Sequence, residues 1–441
     1  MTKFPDTPFK LNEGEKGDQD LLDYLKDHRN FKYLERESKD TINGLPTDLE
    51  EKGLQSKQKE LEKLWPQVLT DALLALKTED QREYDKRNPD MKSFFHKESL
   101  GIGELTGVLE GFSEFEGMMY GASPSRYREH LVHSFRVWII GQGILKKRLK
   151  HDLCTYEDEG LKIKKVEWEA MWAIVALCHD LGYPLSAIEK INEKARRTFR
   201  KQGLRPEGDL SFKFAQQMLP FHDTVIQLMS SKPVKDGRRY LTHLQNKYYL
   251  KLLKSFDNLD HGVVSSLLIS RALVYFLESD LSHDNWKNLN KEDARQFLIR
   301  REILRSIAAH TCQDIYHLHF NTLSFLLYIV DEVQCWGRPT LEELQYEPRN
   351  IEAGIATVNE YEKDKINIEI ATQDDKWDPD LQKQISLQVG KLHRMLRLAV
   401  DTPELVKRKL SLSFKVSNKK DENSFLELKN GKIHKKDNFK E

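Results

Sequence analysis

The chain has 441 residues, and its 70 Lys and Arg residues balance its 70 Asp and Glu residues, so the formal net charge is zero. Hydrophobic residues make up 39% of the chain, enough for a sizeable core, and the 32% charged share indicates a solvated helical surface and not a disordered chain. A neutral chain is a poor partner for a long nucleic acid, whose binding depends on Lys and Arg at phosphates, but it can still bind a small phosphorylated substrate.

Residues 1–100 are predicted to form an N-terminal helical segment. The first stretch of about 50 residues is mostly polar, which predicts that it is loosely held. Apolar residues then recur with helical spacing over Lys57–Leu76, which predicts an amphipathic helix. The charged stretch of about 85–100 is predicted to be a linker or short helices.

Residues 101–345 are predicted to form an all-helical domain, because apolar residues keep helical spacing almost throughout. Asp260 and Asn321 are the predicted N-caps of two of its helices. The helices predicted with most support are Tyr127–Leu149, Glu167–Asp180, Gly262–Glu278, Asp293–Cys312 and Thr322–Trp336.

Residues 346–441 are predicted to form a small α+β module. Ile366, Ile368 and Ile370 alternate with other residues, as do four apolar positions in 410–416, and this period is typical of strands. Asn430-Gly431 between two apolar runs predicts a two-residue hairpin. A helix that begins at Asp378-Pro379 is predicted between these strands. The predicted fold class is therefore mainly α, with a C-terminal α+β part.

The cysteine pattern and the hydropathy exclude several classes of protein. The four cysteines form no C-x-x-C pair, so neither a zinc ribbon nor a thioredoxin-type motif is expected, and Cys178 is predicted to be a core residue. No signal peptide is expected from the polar first residues, and the longest apolar runs, 171–178 and 323–330, are much shorter than the ~20 residues of a spanning helix. These features predict a cytoplasmic protein that does not bind membranes, and they leave its oligomeric state open.

Histidine and aspartate lie at the ends of several predicted apolar helices. His179-Asp180 follows an apolar helix, and a Gly and a Pro turn the chain directly afterwards, which predicts an imidazole and a carboxylate at the edge of a pocket. Asp331 lies within an apolar helix, where a carboxylate is costly to bury without a cation or strong donors. His310 comes near the end of another apolar helix, and His261 begins a third.

Five segments of the chain occur in a recognisable order. They are 127–137 with His130 and His133, HDLGYP at 179–184, DHG at 260–262, AH at 309–310 and YIVDEVQCWGRP at 328–339. Together they resemble the HD-domain metal-dependent phosphohydrolase superfamily over roughly residues 120–340. The resemblance implies an all-helical fold whose metal ligands run His…His-Asp…Asp, with two more histidines in the members that bind two ions.

The resemblance implies a metal centre on this chain. By position, its ligands would be His133, His179, Asp180, His261, His310 and Asp331. His130 competes with His133, because the two lie on one face of the same predicted helix. A centre without His261 and His310 would hold a single ion. Nitrogen and carboxylate donors suit Mn²⁺, Fe²⁺, Ni²⁺, Zn²⁺ or Mg²⁺.

The implied chemistry is hydrolysis of a phosphate ester by a metal-activated water. Two ions can hold the attacking and leaving oxygens of an in-line displacement, and Asp180 would orient the water. Six ligands favour two ions, and two ions favour cleavage of a phosphodiester or phosphomonoester over release of a whole triphosphate. A nucleotide or a cyclic or linear dinucleotide is the predicted substrate. The candidate phosphate contacts, by position alone, are Lys190, Lys194, Arg196, Arg197 and Arg338.

One position separates the chain from the two branches of the superfamily with known substrates. Tyr183 replaces the lysine that is common in the cyclic-dinucleotide phosphodiesterases and the histidine that is common in the deoxynucleotide triphosphohydrolases, so neither substrate carries over. Two alternatives stay open. A single-strand nuclease would need a basic, aromatic-lined groove leading to the site. A non-catalytic nucleotide-sensing module would tolerate the loss of Asp180.

Overall fold

A computed structural model gives the structure of the chain. The residues that it describes are 9–11, 14–46, 53–78, 82–83, 86–87, 100–119, 130–150, 153, 160–186, 201, 220–277, 289–315, 319–334, 355–362, 365–372, 411–418, 421–429 and 432–436. Over these residues the fold is mainly α, as predicted, with one larger sheet and one hairpin.

The described helices account for most of the ordered elements. They are α1 (Gly14–Lys26), α2 (Arg36–Gly44), α3 (Gln58–Ala75), α4 (Ile102–Met119), α5 (His130–Gly143), α6 (Lys165–Cys178), α7 (Pro220–Ser230), α8 (Asn246–Asp257), α9 (His261–Ala272), α10 (Val274–Leu277), α11 (Lys291–Ala309) and α12 (Leu323–Val333). Short 3₁₀ turns lie at His28–Asn30 and Gly53–Lys57, and a π-helical turn at Ile144–Arg148 extends α5.

The core is built around α6, which packs against α3, α5 and α11. Its residues from Glu167 to Cys178 are all buried, as the apolar run in the sequence predicts for a helix surrounded by others. The Trp65 Nε1–H of α3 donates to the carbonyl of Leu177 at 3.1 Å, so an N-terminal helix holds the end of α6 in place.

The prediction of a loosely held N-terminal stretch is wrong for residues 14–46. Leu22, Leu25 and Phe31 are fully buried, because the few apolar residues of this polar sequence lie on one face and pack on the central helices. Asp18 of α1 forms a buried ion pair with Arg136 of α5, at 2.9 and 2.7 Å.

Several predicted helix ends differ from the observed ones. The predicted helix Gly262–Glu278 is divided, because Leu273 takes an extended conformation between α9 and α10. The N-cap of α12 is Thr322, whose side chain accepts from the Phe325 N–H, and not Asn321. Asp260 is the N-cap residue of α9, but its carboxylate accepts from Ser255 Oγ at 2.5 Å and not from the helix.

A hairpin that the sequence analysis did not predict precedes α8. β2 (Ser231–Asp236) and β3 (Arg239–Leu244) pair antiparallel around a two-residue turn, in which Gly237 has a φ of +59°. The Asp236-Gly237 dipeptide is a turn signal that was available in the sequence. The strands were missed because Pro233 and the charged residues around it mask the alternation of apolar residues.

The larger sheet joins both ends of the chain. Its strands are β1 (Phe9–Leu11), β4 (Ile355–Tyr361), β5 (Lys365–Thr372), β6 (Ser411–Asn418), β7 (Asp421–Lys429) and β8 (Lys432–Lys436), in that spatial order. β5 and β6 are parallel and the other neighbours are antiparallel. The strands predicted around Ile368 and 410–416 are confirmed, as is the hairpin at Asn430-Gly431, where Lys429 pairs with Lys432. The helix predicted from Asp378 lies outside the described residues.

No helix among the described residues is both long and apolar enough to cross a membrane.

Candidate metal centre

The centre lies where α6 ends. His179 is the C-cap residue of α6, and residues 179–182 form turns directly after it. The His179 Nδ1–H donates to the carbonyl of Ala176 at 2.8 Å, which turns the Nε2 atom of the ring towards Asp180 and Asp331. Both His179 and Asp180 are buried, so the fold places an imidazole and a carboxylate together inside the molecule.

Ser265 holds this turn against α9. Its Oγ–H donates to the carbonyl of His179 at 2.7 Å, and its oxygen accepts from the Gly182 N–H at 2.8 Å. A side chain at position 182 would lie 2.5 Å from the carbonyl oxygen of His261, so only glycine allows this approach. The contact brings His261 beside Asp180, with 3.2 Å between Nε2 and Oδ1.

Gly262 allows the start of α9 to lie close to the end of α11, because it has no side chain. A Cβ at this position would lie 2.5 Å from the carbonyl oxygen of Ile307. His310 lies just beyond α11, and its Nδ1–H donates to that same carbonyl at 2.5 Å. Its Nε2 atom is then 3.6 Å from Asp180 Oδ1 and 3.2 Å from His261 Nε2.

His133 and Asp331 complete the centre from α5 and α12. His133 is almost fully buried, and its Nε2 atom lies 3.1 Å from Asp331 Oδ1 and 3.9 Å from Asp180 Oδ2. The Nδ1 atom of His133 is in a short hydrogen bond with the side-chain oxygen of Gln334. The fold therefore brings together the six residues that the resemblance implied as ligands, from five different elements or their ends.

His133 and not His130 faces the carboxylates. The His130 ring packs on Tyr183, with 4.3 Å between ring centroids, and the Tyr183 ring meets His261 edge-on at 5.7 Å. Tyr183 is half-buried and lies beside the centre.

Three histidines share one arrangement of ring nitrogens. In His133, His179 and His310 the Nδ1 atom contacts an oxygen that can only accept, so Nδ1 carries a proton, and the Nε2 lone pair is available whenever the ring is neutral. Each of these Nε2 atoms faces a carboxylate. Metal-binding histidines have this arrangement, in which a second hydrogen bond fixes the tautomer and the orientation of the ring.

The two oxygens of Asp180 face different histidines. Oδ2 lies nearest His179, at 3.3 Å, whereas Oδ1 lies near His261 and His310. Potential ligand atoms accordingly form two groups, each within 4.8 Å: His133, His179 and Asp331, and His179, Asp180 and His310. A carboxylate in this position can contact two ions at once.

The protonation states of the centre also suit a cation. Burial by itself raises the pKa of the Asp180 carboxyl, but the positive charge of His179 when its ring is protonated, and hydrogen bonds from His179, His261 and His310, hold the pKa well below its ordinary value. Burial lowers the pKa of His261 to about 4, so this ring is neutral at neutral pH. Ionised carboxylates and neutral imidazoles are the forms that bind divalent metals.

The donor set therefore fits a divalent metal ion. Nitrogen and oxygen donors of this kind are used for Mn²⁺, Fe²⁺, Ni²⁺ and Zn²⁺. Cys178, next to His179, is fully buried and burial raises the pKa of its thiol, so it is a core residue, as predicted. Asp331 and His261 are the most exposed of the six, at 17% and 23% of their side chains, so the centre opens on their side.

Two predicted site residues have no described position. Lys190 and Arg338 lie outside the described residues, as do the other three basic residues predicted as phosphate contacts. Gln334 belongs to the centre but was not predicted, because only its contact with His133 identifies it. A glutamine three residues after a candidate ligand carries no signal of its own.

No protein-family model, no curated protein and no solved structure matches this chain. The assignment to the HD-domain superfamily therefore stays a prediction from the sequence motifs.

Proposed function

We propose that this protein is a metal-dependent phosphohydrolase of the HD-domain type, which binds two divalent ions and hydrolyses a phosphate ester, most simply in a nucleotide. The observation that carries the proposal is Asp180, whose two oxygens face separate groups of histidines. A structural ion pair does not need four imidazoles around one carboxylate. A carboxylate that both ions can share suits a site that holds two ions about 3.5–4 Å apart.

The residues of the chain have separate tasks in this proposal. His133, His179 and Asp331 would hold one ion, and His261 with His310 would hold the other, with Asp180 between them. Bound ions of this kind activate water for attack on phosphorus and neutralise the charge of the phosphate oxygens. Asp180 would also orient the attacking water, because it is the carboxylate at the middle of the centre.

The burial of the ligands supports hydrolysis over mere structural binding. The side chains of His133, His179 and Asp180 are almost inaccessible, whereas those of His261 and Asp331 reach the surface. A substrate can thus approach one side of the centre while the protein encloses the other side.

The test compares wild type with Asp180→Ala and with the matched control Asp257→Ala, which removes an exposed aspartate at the end of α8. We expect wild type and control to contain nearly two transition-metal ions per chain after growth with Mn and Fe, as measured by elemental analysis. Both should hydrolyse p-nitrophenyl phosphoesters with Mn²⁺. Asp180→Ala should be slower by more than about 100-fold, because loss of a metal ligand should cost more than the ~10–100-fold that follows loss of a residue hydrogen-bonded to a ligand.

Two results would count against the proposal. A wild-type protein that contains fewer than one transition-metal ion per chain would show that the six residues do not form a metal centre of the proposed kind. Equal rates for wild type and Asp180→Ala on every phosphoester would leave the centre as a binding site without hydrolysis.

A further inference from the structure

Several segments of this neutral chain are rich in Lys and Arg, and the structure describes one of them, 232–254, in full. Between Lys232 and Lys254 the sequence has five lysines and two arginines, against one acidic residue, Asp236. This segment contains the β2–β3 hairpin and most of α8.

These charges lie at two places that follow each other along the chain, the hairpin turn and α8. Arg238 and Arg239 are exposed at the hairpin turn, and Lys247 and Lys254 are exposed on α8. Lys251 is half-buried, and it shares a helix face with Lys247 because the two are four residues apart. We name the side chains at these two places together the basic face, and define it as Lys235, Arg238, Arg239, Lys247, Lys251 and Lys254.

The helix beneath the hairpin adds a further cation. Arg305 of α11 lies under the hairpin and donates to the Met229 carbonyl at 2.6 Å and to Gln245 Oε1 at 3.0 Å, and its guanidinium covers the Tyr248 ring. These partners of Arg305 are all uncharged. Arg301 beside it is buried and pairs with Glu302.

Several acidic residues lie on or beside the basic face. Asp236 and Asp257 are exposed at the hairpin and at the end of α8, and Asp314 pairs with Lys254 at 2.7 Å. Asp223 accepts from the Tyr249 hydroxyl at 2.7 Å, and Asp260 also lies near Lys254. Burial and then the nearby charge of Lys247 lower the pKa of Lys251, as expected where cations are crowded together.

An apolar side chain lies among the cations. Leu250 is 63% exposed and is the large hydrophobic residue that stands out from the surface of the described structure. It lies between Lys247 and Lys254 on the outer side of α8, and Tyr249 is half-buried beside it. Cations can contact the phosphates of a nucleic acid, and apolar or aromatic side chains between them can contact its bases. The bases are accessible in a single strand and not in a duplex.

The basic face adjoins the candidate metal centre. The carbonyl of Lys251 accepts from Cys312 Sγ at 3.6 Å, and Lys254 pairs with Asp314, so α8 packs on the segment that follows His310. The chain then leads from the end of α8 to His261 in four residues.

We propose that the basic face binds single-stranded nucleic acid and directs it towards the centre. Binding of the strand to the basic face does not depend on hydrolysis. Cleavage of the bound strand at the metal centre is a further step, and it rests on the proposed function.

The experiment measures binding of a fluorescein-labelled oligo(U) of about 20 nucleotides by anisotropy, in EDTA so that no cleavage occurs. Lys247→Gln/Lys251→Gln is compared with Lys59→Gln/Lys63→Gln, a pair of lysines with the same spacing on α3. We expect the α8 pair to weaken binding at least ~5-fold at about 0.1 M salt and to make the salt slope shallower by about 1.4, because each phosphate contact contributes about 0.7. The α3 pair should change the Kd less than about twofold.

Arg238→Ser/Arg239→Ser at the hairpin turn provides a second test in case the α8 variant fails to fold, which circular dichroism would show. We expect the same direction of change. The proposal is overturned if wild type does not bind at about 50 mM salt, if a folded basic-face variant binds as well as wild type, or if all variants lose affinity equally. Tighter binding to duplex RNA or to phosphatidylglycerol vesicles would overturn the assignment to single strands. Binding without cleavage when Mn²⁺ is added would leave this inference intact and count only against the hydrolysis of this polymer.

Discussion

Three histidines of the centre have Nδ1 atoms that are hydrogen-bonded to an oxygen. For one of them, His133, the acceptor is the side chain of Gln334. His179 and His310 donate to backbone carbonyls of their own helices, which a helix provides without any special residue. His133 instead depends on the side chain of Gln334. Gln334 is therefore a positioning residue, since it fixes the tautomer of His133 and leaves the Nε2 lone pair facing Asp331.

We expect Gln334→Leu to weaken divalent-metal affinity by about 10–100-fold, because the His133 ring loses the hydrogen bond that orients it. Gln334→Glu should restore most of the affinity, because a carboxylate also accepts from Nδ1–H. Chelator competition with Mn²⁺ or Co²⁺ gives the affinities.

Gln296→Leu is the matched control, because Gln296 is also buried and hydrogen-bonded, to Tyr275 and to the Leu76 carbonyl, away from the centre. It should lower stability without changing metal affinity. A Gln334→Leu protein that binds metal as tightly as wild type would contradict the positioning role.

Glu292 at the start of α11 predicts a pH dependence of stability. It accepts from Arg295 at 2.9 and 2.5 Å, and these hydrogen bonds lower the pKa of Glu292 below its ordinary value of 4.5. The lowered pKa belongs to the folded state, so the carboxylate stabilises the fold above pH 4.5, and this contribution is lost as the pH falls through the lowered pKa.

We expect Glu292→Gln to be less stable than wild type at neutral pH by under ~1 kcal/mol, since the side chain is 39% exposed and its charge is screened. Urea unfolding should show the two proteins converging in acid, below the ordinary pKa of the group. Glu60→Gln, an exposed residue in the first turn of α3, serves as the control. A difference that stays constant from neutral to acidic pH would contradict the ion-pair explanation.

At the scale of elements, α1 and α5 are joined by a buried ion pair. Arg136 of α5 donates to both oxygens of Asp18, and Asp18 also accepts from the Leu54 N–H at 2.9 Å. Arg136 lies one turn after His133 on α5, so the N-terminal helix supports the helix that carries a candidate ligand.

Arg136→Met should destabilise the protein by about 3–5 kcal/mol, because it leaves the Asp18 carboxylate buried without its cation. The double variant Asp18→Asn/Arg136→Met should recover most of this loss, since the introduced amide is uncharged and can still accept from the Leu54 N–H. The free energy of unfolding in urea measures both.

Arg36→Met supplies the control for this prediction, because Arg36 pairs with Asp40 on the exposed surface of α2. Its effect should stay within roughly 0.5 kcal/mol. If Arg136→Met cost no more than Arg36→Met, the ion pair would not hold α1 to α5.

The helices were the elements that the sequence predicted best. The run that precedes His179 is apolar at every position, so it is buried on all sides as a helix or a strand. Its length favours a helix. The hairpin β2–β3 was not predicted, because Pro233 and two lysines of β2 mask the alternation of apolar residues. The metal-centre residues were predicted from the order of five motifs along the chain, in which His179, His261 and His310 lie at the ends of apolar helices. The contact between His133 and Gln334 joins residues 201 positions apart and has no local pattern.

At the scale of the whole molecule, the C-terminal sheet and the helices share one core. Tyr361, Ile366 and Ile368 belong to the same buried cluster as the helical residues, from Leu21 to Val333. β1, which precedes α1, pairs with β4, so the first described residues form one edge of a sheet made otherwise from residues after 354. Sequence alone could not predict this pairing, because three residues carry no recognisable strand period.

Tyr361 connects this sheet to the metal centre. Its hydroxyl donates to the Phe320 carbonyl at 3.0 Å, and its ring meets Phe325 of α12, the helix that carries Asp331. The sheet therefore supports the helix that positions one of the candidate ligands.

Tyr361→Phe should lower the free energy of unfolding by about 1 kcal/mol through the lost hydrogen bond. Tyr361→Ala should lower it by about 3–5 kcal/mol and also weaken metal binding, because the cavity lets α12 shift. Urea unfolding and chelator competition measure the two effects. Tyr275→Phe, which removes a buried hydrogen bond to Gln296, should match the stability loss of Tyr361→Phe and leave metal affinity unchanged. Unchanged metal affinity in a folded Tyr361→Ala protein would show that the sheet does not support the centre.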